Sequence, residues 1–214
     1  MRFSTTRRRM AEAVERDLHA AHLMFPPLPL LPLTGVAAAH AAAALACADP
    51  RHAPRFLLIA DLRSPATTER LVVIDLRGVT PRVVMRTTVA QGVGGWSNRI
   101  GSLASSPGLY AIQKRYVGVH GTAWRLAGLT PGWNSNARIR DVVLHSAAYV
   151  GPHHAGRSWG CPAVSPATLS ALRAMGALRR DAHALLWIDG PGVGAAAALD
   201  CPDGQQASSA QVTF

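Results

Sequence analysis

A chain of 214 residues suits one folded domain with room for a terminal appendage. Lys and Arg number 22 against 12 Asp and Glu, a formal charge of +10. The basic residues are scattered beyond Arg7-Arg8-Arg9, and no aromatic stripe runs between them. This argues against nucleic acid as partner and suits attraction to a carboxylate-rich polyanion.

Residues 1 to about 22 are charged and mixed in sign, and the stretch to Ala48 is apolar, small and broken by prolines 26, 27, 29 and 32. Those prolines argue against a membrane-spanning helix. Val36 to Ala48 reads as the apolar and small-residue regions of an export signal, with Ala46-Cys47-Ala48 as a cleavage-like triplet. Arg7-Arg8 makes a poor twin-arginine pair, and Ala44-Leu45-Ala46-Cys47 is weakly lipoprotein-like. Residues 1–48 are therefore expected to be an export signal or a flexible apolar arm, able to anchor the chain at a membrane. The expected location is periplasmic or cell-envelope.

From Arg55 onward short apolar runs alternate with Gly and Pro turns, the pattern of a mainly β fold. Strands are predicted at 56–60, 71–76, 83–89, 109–119, 123–129, 139–144 and 184–188, with the second and third forming a hairpin. Residues 91–106 are rich in Gly, Ser and Asn and predict a long loop, with Trp96 and Asn98 as its notable members. Ser165-Pro166 predicts a helix start, and Leu169, Leu172 and Met175 recur at helical spacing until Gly176. Composition predicts disorder over 191–214.

The chemistry concentrates between Asp141 and Val164, DVVLHSAAYVGPHHAGRSWGCPAV. His145 stands at the end of a strand, and Cys161 sits on a turn between Gly160 and Pro162. A thiol needs a base at neutral pH, and a neighbouring imidazole can lower its pKa by several units. Glycine beside it lets backbone N–H groups approach an oxyanion. From the spacing alone, a buried small Cys and a strand-end His with no chemistry is the favoured reading, because Cys is often simply a small core residue. Spacing alone leaves both readings open.

The order His-Ser, a loop, then Ser-x-Gly-Cys resembles the YkuD-type L,D-transpeptidases of bacterial cell walls. LHSAAYV followed by GRSWGCPAV resembles their murein L,D-transpeptidase catalytic-domain branch, as do WSNRIGSLASSPGLY, YVGVHGTAWRLAGLTPGWNSNARIR and ALLWIDG. The resemblance covers residues 55–190. The commoner family pattern has His where this chain has Trp159, and an Arg soon after the Cys where this chain has Pro162-Ala163. The branch often has His in place of Gln91.

The resemblance implies a mainly β, sandwich-like L,D-transpeptidase domain with a short helix after Cys161. It implies acyl transfer on peptidoglycan stem peptides, with no metal or organic cofactor, and acylation by carbapenems. Cys161 would attack a carbonyl beside diaminopimelate, and His145 would take its proton. The Ser146 carbonyl would orient His145, and the N–H groups of Gly160 and Cys161 would hold the oxyanion. Arg157, Ser158, Tyr149 and Trp159 are the candidates for contacting substrate. His120, in His120-Gly121-Thr122, looks like the commoner family's base motif but lies much further from Cys161 than His145 does. It is assigned a supporting or binding place.

His145, His153, His154 and Cys161 match no standard zinc spacing. A papain-like arrangement would reverse the order of Cys and His. The alternatives kept open are a wall-binding protein without turnover, for which Gln91 is the hint, and a wall amidase or carboxypeptidase using the same Cys-His pair.

Overall fold

In the computed structural model, residues 53–78, 81–119 and 121–193 are described. The expected N-terminal signal or arm, His120, Cys47, Cys201 and the tail from 194 lie outside them. Among the described residues, no helix is long and apolar enough to cross a membrane.

The chain is mainly β with one short helix, as the sequence predicts. Among the described residues there are twelve strands. The long ones are β1 (Phe56–Asp61), β2 (Leu71–Asp75), β3 (Arg82–Thr87), β5 (Gly108–Gly118), β6 (Gly121–Gly128), β7 (Val143–Ser146) and β12 (Leu185–Asp189). Five two-residue strands, β4 (Gln91–Gly92), β8 (Val150–Gly151), β9 (His154–Ala155), β10 (Arg157–Ser158) and β11 (Ala163–Val164), are too short to leave a period in the sequence.

One mixed sheet carries eight strands in the order β11-β7-β6-β5-β12-β1-β2-β3. β12 runs parallel to β1 and antiparallel to β5, so this late strand joins two halves of the sheet. Both faces of the centre are covered, which is why β1, β2 and β12 read as unbroken apolar runs without alternation. Leu58, Val73, Tyr110, Leu144 and Leu186 pack on one face with Leu169 and Leu172 of the helix. Leu57, Ile59, Val72, Ile74 and Trp187 pack on the other. Val193 is buried in this second cluster, so packing continues past Gly190, where the sequence predicts disorder to begin.

Helix α1 (Pro166–Ala174) starts where expected. The Ser165 side chain accepts from the Thr168 N–H at 3.1 Å, and Pro stands in the first turn. A strand predicted over 139–144 begins only at Val143. Residues 131–141 close local bonds instead, including Ala137 N–H to Asn134 O at 2.9 Å and Arg140 N–H to Asn136 O at 3.0 Å, and Asp141 takes φ 53°. Tertiary context overrides the apolar run there.

Leu186 is fully buried at the middle of the sheet. Leu186→Ala is expected to cost about 2–5 kcal/mol in urea unfolding. At the end of β2, Arg77 donates from Nε to Asp75 Oδ1 at 2.8 Å and from Nη2 to Oδ2 at 2.6 Å. These bonds hold the Asp75 carboxyl at about 2, below its ordinary 3.8. A depressed carboxylate contributes stability that is full above pH 4 and is lost as pH falls toward 2. The stability gap between the wild type and Asp75→Asn should be constant at pH 5–7 and shrink below pH 4 in urea titrations.

Candidate active site

Parallel pairing of β11 with β7 sets Ala163 opposite His145. Two residues earlier on each strand, Cys161 therefore lies level with Val143. The Val143 N–H donates to Cys161 Sγ at 3.4 Å, and Sγ lies 3.9 Å from the Asp141 carbonyl. The neighbouring strand β6 sets Ala123 against His145 on its other side. His145 is 2% exposed, and its Nδ1 stands 3.0 Å from Ser146 O. A carbonyl only accepts, so this contact makes Nδ1 a donor, and in the neutral imidazole Nε2 is then the basic nitrogen.

The turn before the thiol is tied by Ser158. Its hydroxyl donates to Cys161 O at 2.6 Å and accepts from the Gly160 N–H at 3.1 Å. Ser158 is buried, so the structure places it inside the turn and away from a binding surface. The Gly160 N–H, expected to hold an oxyanion, is engaged by this bond. The Cys161 N–H has no acceptor among the described residues.

Gly160 takes φ +116°, and a Cβ there would lie 2.6 Å from Ala104 O and 3.2 Å from Arg140 Nη2. Only glycine fits that approach. The opposing surface is the loop at 91–106, which is internally bonded, with Gly94 N–H to Leu103 O and Ser105 N–H to Gly95 O both at 2.9 Å. Ser105 Oγ accepts from the Gly92 N–H at 2.9 Å and donates to Gly160 O at 3.4 Å. β10 pairs with β4, which seats Arg157 beside Gln91 and Ser158 beside Gly92. The loop is thus a brace for the Cys161 turn.

Burial raises the Cys161 thiol above its ordinary value. The Val143 N–H pulls it down, Asp141 pushes it up, and Arg140 pulls it down. Burial thus favours the neutral thiol, and attack from a neutral thiol calls for a base.

Around the thiol, Trp159 is 77% exposed and Tyr149 is 42% exposed. The Tyr149 ring packs on Gly156, and its hydroxyl is raised first by burial and then by Cys161. Arg157 is exposed and donates to Gly92 O at 3.4 Å. It forms no ion pair among the described residues. Arg70 lies buried close by, bonded to Val89 O and Ser64 O, and burial, then Arg157, lower it to about 10. Asp61 opposes that shift, and Arg70 commits its fork to these carbonyls, so Arg157 is the exposed guanidinium of the pair.

Several residues here escape a sequence reading. Arg140 packs against Gly160, and Tyr110 hydrogen-bonds Ser106 at 2.7 Å beneath it. On the other side Arg125 pairs with Asp141 and lies 4.3 Å over the Tyr116 ring. Arg140 and Asp141 belong to the run NSNARIRD, where no spacing separates them from surface charges. The Val143 N–H carries no sequence signal at all. No group of three or more His, Cys, Asp or Glu among the described residues is placed to hold a metal.

The family model for the L,D-transpeptidase catalytic domain matches residues 34–177. The chain belongs to that family. No curated protein matches it. Its similarity to solved structures is low. The Bdellovibrio bacteriovorus protein Bd1075 is 16% identical, with 64% of this chain and 48% of that one covered and a TM-score of 0.42. The L,D-transpeptidase from Mycobacterium smegmatis is also 16% identical, covering 64% and 59% at 0.41. The helical cell shape determining protein Pgp2 from Campylobacter jejuni is 13% identical, covering 67% and 51% at 0.46. The chain thus spans about half to three-fifths of the length of these structures. The family match stops before β12, the strand that completes the transpeptidase-family domain's central sheet here.

Gly160→Ala combines a strained φ with a 2.6 Å collision, whereas Gly95→Ala at φ +72° meets nothing within 4 Å. The first is expected to cost about 1–3 kcal/mol more than the second in urea unfolding.

Proposed function

We propose that this chain is a cysteine-dependent L,D-transpeptidase acting on peptidoglycan stem peptides, with residues 55–190 as its catalytic domain. The observation that carries the reading is the pairing of Ala163 with His145 in a chain of this family, which sets the Cys161 turn beside an imidazole whose Nδ1 is fixed on Ser146 O.

Cys161 Sγ attacks a stem-peptide carbonyl while His145 Nε2 removes the thiol proton. The Cys161 N–H faces the developing oxyanion. Collapse breaks the amide bond, and the departing D-amino acid takes the proton from His145, leaving a thioester on Sγ. An amine of a second stem then attacks the thioester, His145 takes the amine's proton, and the sulfur leaves to recover it. The product is a cross-link, or an exchanged D-amino acid where the amine is free. Water in place of the amine gives a shortened stem. Arg157, backed by Arg70, contacts a substrate carboxylate, and Trp159 and Tyr149 offer exposed apolar edges to the stem. The reaction uses no cofactor. A peptidoglycan substrate places the protein outside the cytoplasmic membrane, in the cell envelope.

Carbapenems carry an acylating carbonyl and serve as the probe. Intact-mass spectrometry should show one adduct on the wild type and none on Cys161→Ala, and His145→Ala should acylate on the order of 10²–10⁴-fold more slowly. A folded wild-type protein that takes up no carbapenem would count against the enzyme and favour a wall-binding protein. Muropeptide analysis then separates cross-linking, which gives new dimers, from hydrolysis, which gives only shortened stems.

A further inference from the structure

The guanidinium of Arg140 ties a distant loop to the turn that carries the thiol. Nη1 donates to Ser97 O at 2.9 Å and to Ser106 Oγ at 3.0 Å, and Nη2 donates to Ala104 O. All three acceptors belong to the loop at 97–106. The side chain is half-buried and forms no ion pair among the described residues. Its Nη2 lies 3.2 Å from the point where a Gly160 Cβ would stand.

We propose that Arg140 is a positioning residue of the Cys161 site, clamping the loop against the Gly160 turn and presenting an unneutralised positive charge to the thiolate and to the tetrahedral anion. This deepens the transpeptidase reading and rests on it. A partly buried guanidinium with only neutral acceptors keeps its field, because no carboxylate cancels it. A planar fork also reaches several acceptors at once, which a lysine cannot.

The groups facing the thiol leave this charge a specific task. Asp141, on the turn before β7, opposes ionisation of the thiol and already holds Arg125. His145 on β7 stands on Ser146 O. Tyr110 and Tyr116 from β5 and Tyr149 from the following loop are all raised by the Cys161 charge, with burial as their first cause. Arg140 is the group that lowers both Cys161 and Tyr110 by its charge. Without it, burial and Asp141 act on the thiol with only the Val143 N–H opposing them.

The test is the pH profile of iodoacetamide alkylation at Cys161, resolved by peptide mass spectrometry so that Cys47 and Cys201 do not contribute. It is run beside carbapenem acylation for the wild type, Arg140→Gln and Arg140→Lys. Arg140→Gln should move the profile to higher pH and slow alkylation at neutral pH on the order of tenfold. Arg140→Lys keeps the charge but not the fork, so its profile should stay near the wild type while acylation slows on the order of tenfold. A folded Arg140→Gln protein with an unmoved profile overturns the inference. Should Arg140→Gln not fold, Arg140→Lys decides: a profile displaced upward despite the retained charge overturns it. Failure of the transpeptidase reading looks different, as a wild type that takes up no carbapenem while the Arg140→Gln displacement remains and supports the electrostatic part.

Discussion

The site depends on a two-residue strand. β11 is Ala163 and Val164 alone, yet its parallel pairing with β7 fixes where Cys161 stands relative to His145. A slip of one residue would turn Cys161 to the other face of the sheet. Such a short strand does not hold its register unaided, and the structure surrounds it with supports. Pro162 restricts the backbone at the entry, the Ala90 N–H bonds Ala163 O at 2.8 Å, and the Ser165 cap begins α1 directly after Val164. The loop at 91–106 completes the clamp through Ser105 and Arg140.

The thiol in this setting is held back. Burial favours its neutral form, and the contacts that oppose burial are a single backbone N–H and a nearby guanidinium. A neutral thiol resists oxidation and stray alkylation. In the proposed reaction, attack then depends on proton transfer within the site. That places the weight on the tautomer of His145, and the Ser146 carbonyl sets it with one hydrogen bond from the adjacent residue.

The sequence was most legible where a residue type has few uses. The capped start of α1, the long strands and the Gly-Cys-Pro turn are written in local chemistry, and the structure has all of them except β7 within a residue or two. Ser158 illustrates the opposite case. Its type admits a binding role or a turn-forming one, and only the 2.6 Å bond to Cys161 O reveals the second. Residues 139–141 looked like strand because Ile139 and Val142 are apolar, but they belong to locally bonded turns over 131–141 that are braced by neighbours distant in the chain. Asn98 bonds both Gly132 O and Asn136, a pairing no window of sequence contains. Arg140 was invisible for the same reason, since its three acceptors lie about 40 positions upstream.

The place of β12 bears on how the molecule is made. Residues 185–189 follow every other described strand, yet they sit between β1 and β5. During vectorial synthesis or translocation, β1–β3 and β5–β7 emerge first as separate groups, each with an unpaired inner edge. Those edges are apolar and extended, the kind that seeks any available strand. The late strand is the natural ligand of both. The eight-stranded sheet is therefore closed only once the chain has delivered nearly all of its described length.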